Sequence, residues 1–146
     1  MPDVVLAADV PWIVDEVRAA LSGPDDHVRV VTSGNQVLPE VAADKPDLVI
    51  LDLQIGNMGA MAACMELRLE ESAGRIDHVP VLLLLDRRPD VFLARRTEAE
   101  GWLLKPLDPI RLRKAVRALL AGEDFEDPSQ RPPTVEGLVA AGPGHD

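Results

Sequence analysis

Two unbroken apolar runs constrain the fold of this chain more than any other feature. The first, Leu48-Val49-Ile50-Leu51, lies between two aspartates, and the second extends from Val79 to Leu85. A strand with one face in water alternates apolar and polar residues, whereas a strand covered on both faces is apolar throughout. The β-branched pair Val49 and Ile50 favours a strand in the first run. The two runs therefore predict central strands of a parallel sheet with helices on both faces.

The rest of the chain alternates between short strand patterns and helical patterns. Strands are expected at Val4–Ala8, His27–Thr32, Asp47–Asp52, Val79–Leu85 and Trp102–Leu104. Helices are expected around Ile13–Leu21, Val37–Ala42, Met61–Leu69, Pro89–Glu98 and Leu112–Leu120. Strand and helix patterns alternate five times with short connections, which predicts βαβ units and an α/β fold. Ligands of such sheets bind beyond the carboxyl ends of the strands.

The charge balance narrows the class of partner. Fifteen Lys and Arg residues stand against 25 Asp and Glu residues, which gives a formal net charge of −10. This balance disfavours nucleic-acid binding because the phosphate backbone is itself anionic. Two basic clusters are interpreted as solvated helix faces: Arg87, Arg88, Arg95 and Arg96 in one, and Arg111, Arg113, Lys114 and Arg117 in the other.

Location and domain organisation follow from what the chain lacks and from its last residues. No apolar run approaches the length of a membrane span, and Met1-Pro2-Asp3 lacks the positive start of a secretory signal. Cys64 is the only cysteine, which excludes a disulfide framework. A cytoplasmic protein without a membrane partner is therefore expected. Residues 1–122 are expected to form one domain, and residues 123–146, rich in Pro, Gly and acids, a mostly disordered tail.

Three polar residues follow the ends of predicted strands at one edge of the sheet. They are Asp9 after the first strand, Asp52 at the end of the third and Lys105 after the fifth. Two neighbouring carboxylates repel each other unless a cation lies between them, and Mg²⁺ takes such oxygen ligands. A lysine opposite them could bind a phosphoryl group carried by an aspartate nucleophile. The alternative for any one of the three is a polar residue that merely begins a loop.

The chain from about Asp3 to Gly122 resembles the receiver domain of two-component response regulators. Pro46-Asp47-Leu48-Val49-Ile50-Leu51-Asp52-Leu53 is similar to the segment that leads to the phosphoacceptor of that family. Trp102-Leu103-Leu104-Lys105-Pro106 resembles its aromatic-Leu-x-Lys-Pro segment, and Val79-Pro80-Val81 resembles the opening of its fourth strand. The resemblance implies a flavodoxin-like, doubly wound five-stranded parallel sheet in the order 2-1-3-4-5.

The resemblance also implies roles for the residues at the sheet edge. Asp52 takes the phosphoacceptor position, and Lys105 is the lysine that pairs with the phosphoryl group. Mg²⁺ is the expected cofactor, with Asp9, Asp52 and the backbone carbonyl of Gln54 as its ligands. The Lys105-Pro106 bond is expected to be cis.

Several positions depart from the family pattern. Ala8 replaces one of two adjacent acids, which weakens the expected Mg²⁺ site, and Leu85 stands where the family has a Thr or Ser hydroxyl. A hydrogen bond to a charged group contributes roughly 1.5–3 kcal/mol. Leu85 therefore removes the stabilisation of a bound phosphoryl group and the usual signal to the fourth helix. Asp86 adds negative charge near the bound anion, and Trp102 stands at the position of the family's rotating aromatic residue.

These features predict an atypical, stand-alone response regulator without enzymatic activity that signals through protein–protein contacts. A histidine kinase or another signalling protein is the expected partner, and the fourth helix, fifth strand and fifth helix form the expected interface, including that of a homodimer. Two versions stay open: a domain phosphorylated on Asp52, and a phosphate-independent pseudo-receiver module. A flavodoxin-like electron carrier is disfavoured because Ala8-Asp9-Val10-Pro11 lacks a Gly- and hydroxyl-rich phosphate loop.

Overall fold

A single sheet of six parallel strands organises the molecule in the computed structural model, which describes residues 2–21, 23, 27–56 and 59–127. The strands are β1 (Asp3–Ala7), β2 (His27–Val31), β3 (Leu48–Asp52), β4 (Val81–Leu85), β5 (Gly101–Leu104) and β6 (Phe125–Glu126). The helices are α1 (Pro11–Ala20), α2 (Val37–Ala43), α3 (Ala60–Ser72), α4 (Asp90–Arg96) and α5 (Pro109–Leu120). The strand order β2-β1-β3-β4-β5-β6 confirms the predicted 2-1-3-4-5 arrangement and adds a sixth strand.

The two apolar runs form the central strands, as predicted. Every residue of β3 and of β4 is buried. Successive side chains enter opposite layers: Leu51 packs with α2, α3 and α4, whereas Ile50 packs with α1 and α5. Full burial of one such aliphatic side chain contributes about 1.5–3 kcal/mol. Helices on both faces therefore account for the absence of polar residues within these strands.

Local signals begin the helices that flank the site. α1 and α5 each have a proline in the first turn, where a missing N–H costs no helical hydrogen bond. The Asp108 carboxylate caps α5 by accepting a hydrogen bond of 2.8 Å from the Ile110 amide. In the described part of the chain, no helix is both long and apolar enough to cross a membrane.

The buried face of α3 agrees only in part with the sequence pattern. The helical spacing of Met61, Cys64, Met65 and Leu69 predicts one apolar side of the helix, with Cys64 buried. The structure instead leaves Met65 54% and Leu69 69% exposed and buries Ala60, Ala63, Cys64 and Leu67. Small side chains let the helix lie close to the sheet, so the burial of Cys64 is confirmed, whereas the pattern was wrong for Met65 and Leu69.

The sheet extends beyond the domain boundary expected at residue 122. β6 pairs in parallel with β5, matching Gly101 with Phe125 and Trp102 with Glu126. Residues 123–127 therefore do not belong to a disordered tail, because β5 offers an edge with open backbone hydrogen-bonding groups. The remainder of the expected tail, residues 128–146, lies outside the described residues.

Candidate functional site

The carboxyl ends of β3 and β5 bring an aspartate and a lysine into direct contact. Asp52 is the last residue of β3 and is completely buried. Lys105 follows β5, and its backbone amide donates to the Leu85 carbonyl over 2.9 Å, which extends the pairing with β4. The Lys105 ammonium group donates to Oδ1 of Asp52. The expected juxtaposition of these two residues is thus present, and the Lys105-Pro106 bond is cis, as expected.

Asp9 and Gln54 lie in the loops around this pair. Asp9 is exposed, and its Oδ2 accepts a long hydrogen bond of 3.4 Å from the Gly56 amide. The Gln54 amide lies 3.4 Å from Oδ1 of Asp52, also a long contact. The β1–α1 loop therefore meets the β3–α3 loop through Asp9 and Gly56.

Asp86 is a second acidic partner of the lysine. Its Oδ1 accepts a hydrogen bond of 3.0 Å from Nζ of Lys105. Burial alone lowers the pKa of Lys105, but hydrogen bonds to Asp52 and Asp86 outweigh it and raise that pKa. The sequence pattern predicted Asp86 only as added negative charge, and its ion pair with Lys105 was not predicted. The signal was available, since Asp86 directly follows β4 at the same edge of the sheet.

The two atypical positions are filled by buried apolar side chains. Leu85 is completely buried and belongs to the core layer beneath α3 and α4. Trp102 on β5 is 3% exposed in the same layer. The side chain of Leu85 offers no hydrogen-bond donor to an anion at Asp52. The site thus has a carboxylate and a cation, but no hydroxyl at the end of β4.

The oxygen donors at this edge are compatible with a magnesium ion. Oδ2 of Asp52 is buried, and no hydrogen-bond partner for it is found among the described residues. A buried, unpartnered carboxylate oxygen is costly unless a proton, water or cation satisfies it. Asp9 and the Gln54 carbonyl would supply further hard oxygen ligands of the type that Mg²⁺ prefers. No cluster of three His, Cys, Asp or Glu side chains suited to a metal occurs within the described ranges. Such a site would therefore depend on two carboxylates, a carbonyl and water.

Comparison with known proteins identifies the family. The response regulator receiver domain family matches residues 4–117. The DNA-binding response regulator MtrA of Mycolicibacterium smegmatis is 29% identical over 125 residues, which cover 84% of this chain and 52% of MtrA. The nitrate/nitrite response regulator protein NarL of Escherichia coli is 30% identical over 122 residues, covering 82% of this chain and 55% of NarL. The chain thus spans about half the length of the curated relatives that it matches.

Solved structures agree on the fold. The chemotaxis response regulator CheY4 of Vibrio cholerae gives a TM-score of 0.71 at 22% identity, covering 80% of this chain and 97% of CheY4. The signal receiver domain of a histidine kinase from Syntrophus aciditrophicus gives a TM-score of 0.73 at 22% identity, covering 84% and 92% of the two chains. With the family match extending over most of its length, this chain belongs to the response regulator receiver domain family of two-component signalling.

Proposed function

We propose that this chain is an atypical response regulator whose Asp52 accepts a phosphoryl group from a histidine kinase and whose output is a protein–protein contact. The contact between Lys105 and Asp52 at the carboxyl edge of the sheet carries the proposal. The lysine engages Oδ1, and Oδ2 has no hydrogen-bond partner among the described residues, so the carboxylate retains a lone pair for attack on phosphorus. Histidine kinases are the partners of this family, and they present the phosphoryl group on an imidazole nitrogen.

The proposed transfer balances with the groups at the site. A carboxylate oxygen of Asp52 attacks phosphorus, the phosphorus–nitrogen bond breaks, and the imidazole nitrogen retains the electron pair. The Lys105 ammonium group, whose pKa is raised, stays charged and pairs with the added negative charge. Asp9, Asp52 and the Gln54 carbonyl are the groups that would hold Mg²⁺, which would supply neutralisation of negative charge during the transfer.

A phosphate-independent interaction module is the second candidate. Asp86 already provides Lys105 with a carboxylate 3.0 Å away, so part of the lysine's capacity to bind an anion is used without phosphate. Leu85, buried at the end of β4, provides no group that could report a phosphoryl group. Both features favour a domain that binds its partner in one fixed state.

Titration with beryllofluoride, an analogue of the phosphoryl group, separates the two candidates. The full chain in a Trp12→Phe background is suitable because Trp12 is 66% exposed and Trp102 is buried, so that only Trp102 reports. Phosphorylation predicts a saturable fluorescence change that requires Mg²⁺, with matching shifts in an NMR spectrum. Asp52→Asn should abolish the change, whereas Asp77→Asn, an exposed aspartate that precedes β4, should retain it. A flat titration in both readouts would exclude phosphorylation and favour the second candidate.

A further inference from the structure

The segment that follows α5 folds back along the edge of the sheet. Gly122 adopts a φ of +83°, which reverses the chain at the end of the helix. The Glu123 amide then donates to the Ala118 carbonyl over 2.9 Å, and the Phe125 amide to the Glu100 carbonyl over 2.9 Å. Residues 123–127, here termed the C-terminal strap, thereby add a parallel strand to β5.

Side chains fix the strap to all three elements around this edge. Asp127 is completely buried, and its Oδ2 accepts hydrogen bonds from the Leu104 amide, over 3.2 Å, and from the Arg111 guanidinium group. Arg95 at the end of α4 pairs with Glu126 over 3.3 Å. Two acids of the strap thus face two arginines that lie on α4 and α5. The two arginines make this edge locally basic in a chain whose formal net charge is −10.

The surface beneath the strap is shaped for a close backbone approach. A Cβ atom at Gly101 would lie 2.9 Å from the Phe125 carbonyl oxygen and 3.0 Å from Cδ1 of Leu119. Real Cβ atoms do not approach a carbonyl oxygen so closely, so only glycine lets the strand pair at this point. Phe125 is half-buried and packs against the layer formed by α1 and α5. An open sheet edge, an apolar contact and two flanking cations therefore form one site.

We propose that this site, between α4 and α5 along β5, docks an extended acidic segment of a partner protein, and that the C-terminal strap occupies it in cis until such a partner displaces it. Addition of a peptide strand to a sheet edge is a general mode of recognition, in which main-chain bonds give affinity and side-chain contacts give specificity. The pattern of the strap itself defines the chemistry of the partner: an aromatic residue followed by two acids, the second one reaching Arg111. This role does not depend on phosphorylation of Asp52.

Tethering determines how strongly the strap competes. A short linker gives the strap an effective concentration of about millimolar or more at its site. A free peptide with the same contacts therefore gains little access to the intact chain. Weakening the strap without altering β5, α4 or α5 should admit the peptide.

A fluorescein-labelled peptide with the sequence of residues 122–127 tests the proposal against the full chain. Asp127→Asn removes the charge that pairs with Arg111, and Asp124→Asn makes the same change at an exposed position of the strap. We expect fluorescence anisotropy to show at least tenfold tighter binding to Asp127→Asn than to Asp124→Asn or to the unaltered chain. Adding Arg111→Ala to Asp127→Asn should reverse the gain.

Three results would overturn the proposal. They are equal binding to all chains, no binding to Asp127→Asn, and equal binding of a neutral peptide in which Gln and Asn replace the acids. Circular dichroism must first show that Asp127→Asn folds. If it does not, Phe125→Ala, which leaves the buried ion pair in place, serves as the loosened chain with the same expected results.

Discussion

Asp86 places its Oδ1 3.0 Å from Nζ of Lys105, so the lysine that contacts Asp52 is shared between two carboxylates. A phosphoryl analogue on Asp52 would compete with Asp86 for the lysine and be repelled by it. The repulsion amounts to on the order of 1 kcal/mol after screening, or about fivefold in affinity. Asp86→Ala should therefore bind beryllofluoride with Mg²⁺ about fivefold more tightly than the unaltered chain. The measurement is the Trp102 titration, with Asp77→Ala as a control for net charge; weaker binding by Asp86→Ala would contradict the competition.

Lys105→Met should destabilise the fold because it leaves the completely buried Asp52 without its cation. Breaking a buried ion pair from one side costs about 3–5 kcal/mol, and we expect a loss near the lower end because Asp52 also lies beside water-accessible loops. Urea unfolding measures the loss. Lys114→Met, at an exposed position of α5, should change stability by less than about 0.5 kcal/mol.

The double variant Asp52→Asn with Lys105→Met tests the origin of that loss. If the buried charge is the cause, neutralising it should make the double variant more stable than the sum of the two single effects by about 1 kcal/mol or more. Simple additivity would instead indicate that Lys105 stabilises the fold through packing alone.

Leu85→Thr should lower the free energy of unfolding and raise the affinity for beryllofluoride. The substitution removes buried apolar volume and places a hydroxyl in the core layer, which costs about 1–3 kcal/mol in urea unfolding. The same hydroxyl lies at the end of β4 and can donate to a phosphoryl oxygen, so the affinity for beryllofluoride should rise about tenfold. Leu83→Thr, two residues earlier on the same face of β4, should lose comparable stability without a gain in affinity. Equal affinity changes in both variants would refute a specific role for the hydroxyl.

Cys64 should be unreactive while the protein is folded. Burial raises the pKa of its thiol, whose Sγ lies 3.4 Å from the Thr97 carbonyl oxygen. The folded state therefore favours the neutral thiol, and this contribution to stability is complete below the ordinary thiol pKa of 9.0 and lost as the pH rises through the folded-state value. Alkylation by iodoacetamide at pH 8 should be slow without denaturant and rapid in urea. Stability should fall more steeply above pH 9 in the unaltered chain than in Cys64→Ala; equal slopes would contradict the shift.

The sequence predicted the central strands because a strand that is buried on both faces has a continuous apolar run, such as Leu48–Leu51. The strand order came from the family resemblance, since periodicity alone does not rank neighbours in a sheet. The buried face of α3 was predicted correctly at Cys64 but not at Met65 and Leu69, because Ala60 and Ala63 carry a weaker hydrophobic signal than these two large residues. Hydrophobic periodicity identifies large side chains, whereas close packing against a sheet selects small ones.

At the site, strand ends predicted the meeting of Asp52 with Lys105, because parallel strands align their carboxyl ends. The pairing of Lys105 with Asp86 depends on the direction of a side chain in a loop, which hydrophobic periodicity does not predict. The C-terminal strap was missed for a related reason. The strand has only two residues in an acidic segment, and its position depends on the unpaired edge of β5 and on the ion pair of Arg111 with the buried Asp127.

β6 also has a consequence for the solubility of any fragment of this chain. Without it, β5 would present Gly101–Leu104 as an open edge, and such edges template association with other chains. A fragment that ends at Gly122 retains all five helices and five strands, yet it exposes this edge together with the cleft that Phe125 and Asp127 fill. Aggregation of that fragment would then be attributed to the missing strand. A fragment that ends at Asp127 retains β6 and should remain soluble.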